Sequence, residues 1–190
     1  MKIILASKSP RRRELLGKLY SDFEIMTDKV DETLPEGVHP SRGVEILALR
    51  KGEGISKRNP DSLVISSDTL VELGGVPLGK PENGEDAFRM LRTLSGKTHN
   101  VHTGIAVSYK GRTFSATSSS SVTFRDIADG EILEYIKTGE PLDKAGSYAI
   151  QGIGAKFVRS YEGSFDGIVG LDTELCSSLI NNVLSSEEKK

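Results

Sequence analysis

An aspartate, a threonine and a lysine set close together mark the first stretch of this chain where chemistry could be concentrated: Asp68, Thr69 and Lys80, within LVISSDTLVELGGVPLGKP, residues 63–81. Residues 63–67 form an apolar, β-branched run that turns small and polar at its end, the pattern of a buried strand feeding a loop. Asp68 and Thr69 then stand at that strand's mouth. Gly74-Gly75 between apolar flanks reads as a tight hairpin, which would return Lys80 to the same end of the sheet. A carboxylate at a strand terminus beside a fixed cation suits holding a divalent metal or orienting a water. An Asp-Thr pair after a strand is also a common turn or helix cap, so this stretch alone leaves both readings open.

A second concentration lies near the start, in SKSPRRRELL. Ser9 as N-cap and Pro10 at the first helical position announce a helix, and its first turn then carries Arg11, Arg12 and Arg13. The helix dipole disfavours a cation there by up to about 1 kcal/mol each. Three such residues beside a serine-rich loop with free amides fit a site completed by an anion, because N–H groups and guanidinium forks both suit phosphate. The plainer alternative is a solvated basic patch.

The elements that must position these residues follow from periodicity. Residues 2–6 read as a buried strand, 10–20 as a helix with Leu15, Leu16 and Leu19 on its apolar face, and 23–27 as a second strand. An acidic loop with Asp31 and Glu32 precedes a helix over 41–57 that carries Lys51. Asn83 caps a helix ending at Gly96, residues 101–109 and 113–124 form two long antiparallel strands, and 129–137 is helical. The serine run 118–121 is polar strand rather than linker, since Val122 and Phe124 continue the β pattern. His99 and His102, three apart on one strand, point to opposite faces and are structural or exposed rather than joint metal ligands. The glycine-rich segment 140–154, EPLDKAGSYAIQGIG, carries Asp143, Lys144 and Gln151, a composition that suits close approach to a ligand and equally a plain loop. A strand over 156–161, a lead-in over 168–171 and a helix over 173–184 complete the chain, with residues 185–190 expected to fray.

With 190 residues, the chain fits one domain spanning 1–190 with a substantial core. A net charge of −2 gives no global attraction to nucleic acid or anionic membrane, and aromatics at 6% are too sparse for a base-stacking platform. No apolar run approaches a membrane span, and MKIILASKSP has too short an apolar core for a signal peptide. The lone Cys176, expected at a buried helix position, favours a reducing, cytoplasmic setting.

Seven segments in order, ASKSPRRRELL, LRKGEG, ISSDTLV, LGKP, LSGKTHNVHTG, EPLDKAGSYAIQG and EGSFDGIVGL, resemble the Maf family of nucleoside triphosphate pyrophosphatases over nearly the whole chain. The resemblance implies an α/β fold shared with the inosine triphosphate pyrophosphatases: an elongated mixed sheet flanked by helices, with a cleft between two lobes. It also implies homodimers and a divalent cation, Mg or Mn. By the same resemblance, Asp68 matches the proton acceptor, while Arg11, Thr69 and Gln151 match the positions that mark the subgroup acting on dTTP and UTP. Ser7, Arg12, Glu32, Lys51 and Lys80 match the remaining polar residues of the cleft, with Glu32 beside Asp68 as a metal carboxylate. Ser67 and Asp172 depart from the family's usual alanine and proline, at positions that carry no chemistry. The implied reaction is hydrolysis of a nucleoside triphosphate to the monophosphate and pyrophosphate. A catalytically idle nucleotide-binding regulator of cell division is the rival reading.

Overall fold

The computed structural model describes residues 1–186; the last four residues of the expected frayed tail lie outside that range, and Ser185 and Ser186 end and cap the final helix. Among the described residues, seven strands form one mixed sheet: β1 (Lys2–Leu5), β2 (Glu24–Ile25), β3 (Ser62–Leu73), β4 (Val76–Leu78), β5 (Thr98–Tyr109), β6 (Arg112–Phe124) and β7 (Val158–Glu162). Their order is β2-β1-β3-β5-β6-β7, with β4 also paired to β3. β1 runs parallel to β2 and β3, and every other pairing is antiparallel. Among the same residues, six helices flank the sheet: α1 (Pro10–Gly17), α2 (Pro40–Arg58), α3 (Gly84–Leu94), α4 (Asp129–Lys137), α5 (Phe165–Val169) and α6 (Thr173–Ser185).

Alternation along β3, β5 and β6 assigns each residue to one of two covered faces. α2 lies on one face and α5 and α6 on the other, which is why the central strands β3 and β5 lack a polar, solvent-facing side. The serines of β6 show the pattern. Thr117 donates to the Ser41 carbonyl at the α2 face (2.8 Å), whereas Ser118 donates to Asp172 (2.6 Å) and Ser120 to the Ser164 carbonyl (3.2 Å) on the α5–α6 face. The run is strand, as its flanking Val122 and Phe124 imply, with Ser118 and Ser120 spending their hydroxyls on interlayer hydrogen bonds. The large apolar cluster, including Leu16, Ile65, Leu91, Ile105, Phe124 and Phe157, fills the α5–α6 side; a small one of Ile4, Ala6, Ile55 and Val64 lies under α2. Cys176 is buried in the large cluster on α6, where burial pushes its thiol up to about 12.

Small residues let α2 sit close on the sheet. A Cβ on Gly104 would stand 2.3 to 2.5 Å from the Val44 and Glu45 backbone, and one on Gly52 would stand 2.7 Å from Ser66 Oγ. Ser66 in turn donates to the Ala48 carbonyl (2.6 Å). His99 and His102 do face opposite sides and both are buried: His99 meets Tyr148 at 2.8 Å, and His102 meets Ser119 at 2.8 Å and Glu72 at 3.2 Å.

Several expectations need correction. β3 does not stop at residue 67 but runs through Asp68 and Thr69 to Leu73, because β5 pairs with it continuously from Val64 to Glu72. Asp68 is therefore a mid-strand residue and not a strand terminus. The second strand shrinks to Glu24–Ile25, the residues paired with Ile4 and Leu5 of β1. α1 ends at Gly17, and residues 165–169, read as loop and lead-in, form α5, capped by Ser164 through the Gly167 amide at 3.0 Å. The segment 140–154 is built mainly of short 3₁₀ turns, Glu140–Asp143 and Ala145–Ser147, and a third, Ile153–Phe157, takes the first residues of the expected strand 156–161. Gly74 and Gly75, both at positive φ (61° and 84°), make the expected two-residue hairpin.

The close seating of α2 has a measurable consequence. Gly104→Ala overpacks the helix backbone itself and is expected to cost about 1–3 kcal/mol or more by urea denaturation; a change within about 0.5 kcal/mol would show that the layers separate freely.

Candidate active site

One edge of β3 is shared by two strands that stop short of each other. β1 pairs with it in parallel from Ser62 to Ile65, and β4 in antiparallel from Val71 to Leu73, so residues 66–70 have neither as a partner on that edge. The chain leaves β1 through Ala6, Ser7, Lys8 and Ser9 into α1, and leaves β4 through Gly79 and Lys80. Where these strands diverge, a cleft of about 950 Å³ opens. Asp68 and Thr69 sit at its floor, in the part of β3 that the gap exposes.

Because neighbours on a strand point to opposite faces, Asp68 and Thr69 reach different partners. Asp68 turns towards α2, where its Oδ1 pairs with the Lys51 ammonium, and the same ammonium stands 3.2 Å from Glu32. Thr69 turns towards α1 and α5. Its hydroxyl meets Arg12 Nη2 at 3.0 Å and Thr103 Oγ1 at 2.9 Å.

Arg12 spans the junction. Its Nε donates to the Gly170 carbonyl (2.9 Å) at the end of α5, its Nη1 to Ser7 Oγ (3.3 Å) and its Nη2 to Thr69. Burial holds its pKa below the ordinary guanidinium value, and Asp68 opposes that shift; an arginine stays protonated regardless. The Gly170 carbonyl also accepts from buried Ser67 (2.8 Å). Ser67 thus has a structural partner that alanine would lack. Asp172 likewise caps α6 through the Leu175 amide (3.0 Å) while accepting from Ser118, which accounts for the second departure.

Arg11 lines the cleft, whereas Arg13 is exposed outside its lining. The three arginines therefore do not form one continuous surface patch. Lys80 and Gln151 enter from the opposite wall, Gln151 on the 140–154 segment together with Asp143, Lys144 and Tyr148. All nine polar residues singled out from the sequence, namely Ser7, Arg11, Arg12, Glu32, Lys51, Asp68, Thr69, Lys80 and Gln151, line this single cleft. Lys144, named from the sequence with its segment but given no role, lines the cleft too, and Lys8 adds a cation that was not singled out because an isolated loop lysine is unremarkable.

The two carboxylates, Asp68 and Glu32, are within reach of one ammonium and so within reach of one another's ligand space. Among the described residues no group of three or more His, Cys, Asp or Glu converges as a metal cage. Mg²⁺ is ordinarily held by one or two carboxylates together with substrate phosphates, and the pair fits that mode. A triphosphate would meet cations on three walls: Arg11 and Arg12 from α1, Lys51 from α2 and Lys80 beyond β4.

Residues 2–183 match the family model described as Maf-like protein. A dTTP/UTP pyrophosphatase of Clostridium beijerinckii is 46% identical over 176 residues, covering 90% of this chain and 93% of its own. One of Pelotomaculum thermopropionicum is 46% identical over 171 residues, covering 89% and 90%. Among solved structures, the Staphylococcus aureus Ham1 protein aligns over all of both chains with a TM-score of 0.52 at 17% identity, a likeness that shows the fold. No helix among the described residues is long and apolar enough to cross a membrane.

The cleft wall also carries a pH dependence. Tyr148 joins it to His99, which burial pushes down from 6.5 to about 4. Between those values the unfolded chain binds a proton that the fold excludes, so stability is full above about 6.5 and declines as pH falls through this window. Glu72, held down to about 2 by hydrogen bonds from Asn100, the Gly75 amide and His102 against the cost of burial, adds its own loss only at lower pH. Denaturant titrations at pH 7 and pH 5 should show a smaller loss for His99→Phe than for the parent; equal losses would contradict a buried neutral imidazole.

Proposed function

The chain belongs to the Maf-like family, and from that premise we propose that it hydrolyses dTTP and UTP to the nucleoside monophosphate and pyrophosphate. The observation that carries this reading is the placement of Asp68 in the gap of β3, in a cleft that Arg11, Arg12, Lys51 and Lys80 also line, in a chain whose curated relatives are named dTTP/UTP pyrophosphatases. Phosphoryl transfer asks little covalent chemistry of a protein and much positioning and charge stabilisation. A triphosphate of charge about −4 cannot enter a low-dielectric cleft unopposed. Arg11, Arg12, Lys51 and Lys80 supply the opposition.

Arg12 is already aimed by Ser7, Thr69 and the Gly170 carbonyl, so its fork need not be ordered when the nucleotide arrives. Lys51, shared between Asp68 and Glu32 in the free protein, is placed to move onto a phosphate oxygen and free both acids. Once released, Asp68 orients the attacking water and takes its proton. Asp68 and Glu32 would hold the divalent cation, Mg or Mn, which when bound lowers the pKa of a coordinated water and neutralises phosphate charge. Water attacks the α-phosphorus in line with the bridging oxygen, and pyrophosphate leaves towards the cations.

Gln151 offers one donor and one acceptor to a pyrimidine edge, matching the adjacent carbonyl and N–H of thymine and uracil. Arg11 and Thr69 complete the set assigned to nucleotide choice. A partner left unpaired in such a site costs about 1–3 kcal/mol, or roughly tenfold to a hundredfold in selectivity. The proposal includes a cytoplasmic homodimer, as family membership implies. The idle-regulator reading is not favoured, since the acid and all four cations that hydrolysis requires line the cleft.

Pyrophosphate release measured on dTTP, UTP, CTP, GTP and 7-methyl-GTP tests the proposal. We expect dTTP and UTP to lead in kcat/KM, and Asp68→Asn to bind nucleotide while losing about a hundredfold or more in turnover. A series led by 7-methyl-GTP would refute the pyrimidine assignment, and an Asp68→Asn enzyme within about threefold of the parent would remove Asp68 from the chemistry.

A further inference from the structure

We propose that Glu140 is a positioning residue for base selection: its carboxylate closes the 140–154 segment into a ring and so fixes where Gln151 stands in the cleft. The inference rests on the reading of Gln151 given above. Glu140 opens the segment, and its side chain reaches forward to the segment's end. Oε2 accepts from the Ile153 amide (2.9 Å), and Oε1 accepts from the Gly154 amide (3.0 Å) and from the Tyr135 hydroxyl (2.8 Å). Tyr135 is fully buried on α4, its ring 5.1 Å from that of Phe157. One carboxylate therefore ties the core, the entry of the segment and its exit.

Ala149 and Ile150 are buried just before Gln151, but beyond them the chain has few other ties. The middle of the segment is anchored elsewhere, by the Gly146 amide on the Gly79 carbonyl (3.0 Å) and by Tyr148 on His99 (2.8 Å). Near Gln151 the backbone makes a local turn bond, from the Gly152 amide to the Ala149 carbonyl (3.2 Å), and the next fixed point is the pair of amides on Glu140. Gly146 and Ser147 sit at φ of 65° and 63°, so the short 3₁₀ turns do not join into one longer element that would impose its own shape. Gly152 is closed in by the clamp itself, since a Cβ there would stand 2.6 Å from both carboxylate oxygens of Glu140.

Three donors meeting two oxygens require an acceptor at both positions. Burial raises the Glu140 pKa, but the bonds from Gly154, Ile153 and Tyr135 outweigh it and leave the carboxyl lowered, hence ionised. Glutamine has nearly the same shape but must present an amino group to one of the donors. Glu140→Gln therefore breaks the clamp without emptying its volume, Gly152→Ala breaks it by contact from the other side, and Tyr135→Phe removes only one of three bonds.

The test combines steady-state kinetics on dTTP, UTP, CTP and GTP with amide hydrogen exchange over residues 145–152. For Glu140→Gln and Gly152→Ala we expect KM for dTTP and UTP to rise about tenfold, preference over GTP to shrink by a similar factor and kcat to stay within about threefold. Exchange over 145–152 should quicken, and Tyr135→Phe should show the same changes to a smaller degree. Parent-like exchange in the segment, or unchanged preference, or a loss of kcat by one common factor on every nucleotide, would overturn the inference. Should Glu140→Gln fail to fold, parent-like preference and exchange in both Gly152→Ala and Tyr135→Phe would overturn it equally. A parent enzyme with no base preference would refute the reading of Gln151, while exchange in the segment would still decide whether Glu140 is the clamp.

Discussion

A twelve-residue strand has to satisfy its backbone on both edges, and β3 is paired without a break on only one of them, by β5 from Val64 to Glu72. On the other edge β1 and β4 approach from opposite ends and diverge before meeting, which leaves residues 66–70 facing a gap. The rest of the site depends on that interruption. It is flanked by two chain segments that must turn away, one into an arginine-bearing helix and one through Gly79 and Lys80, so cations arrive on both sides of a rigid floor. Side chains placed on a strand hold their geometry better than those placed on loops, and this floor is braced on its far edge by β5 from Asn100 to Ser108.

Charge placement follows from how closely α2 can lie on the sheet. Gly104 and the Gly52–Ser66 contact remove the side-chain volume that would hold the helix off, and Lys51, the neighbour of Gly52, then reaches Asp68 directly. In the free protein the acids and the ammonium satisfy one another. Binding of a phosphate chain exchanges one set of charge pairs for another, so nucleotide entry need not strand a buried charge, which would otherwise be the largest cost of building such a cleft.

Much of this was legible in the sequence, for reasons that differ by residue. Ser9, Pro10, Asn83 and the Gly74-Gly75 pair act through local backbone chemistry, and the caps and hairpin they announce are present. The status of Asp68 was misread because strand ends are inferred from a change to polar residues. Here the polar residues are buried between layers: Ser66 and Ser67 are satisfied by the Ala48 and Gly170 carbonyls, contacts 18 and 103 residues away. Tertiary partners overrode the local signal. The short α5 escaped notice because five residues are too few to show a period. Glu140 was invisible for a further reason. A glutamate before a proline carries no pattern, and its importance lies in two amides 13 and 14 residues downstream.

The central claim is that the interrupted edge of β3 presents Asp68 and a water to the α-phosphorus of a bound nucleotide. Hydrolysis in heavy-oxygen water, followed by mass analysis of both products, tests it directly, because attack at either phosphorus of the cleaved bridge gives the same products but a different label. The account predicts that the heavy oxygen appears in the nucleoside monophosphate. Its appearance in pyrophosphate would mean that water attacks the β-phosphorus, and the placement of Asp68 described here would be contradicted.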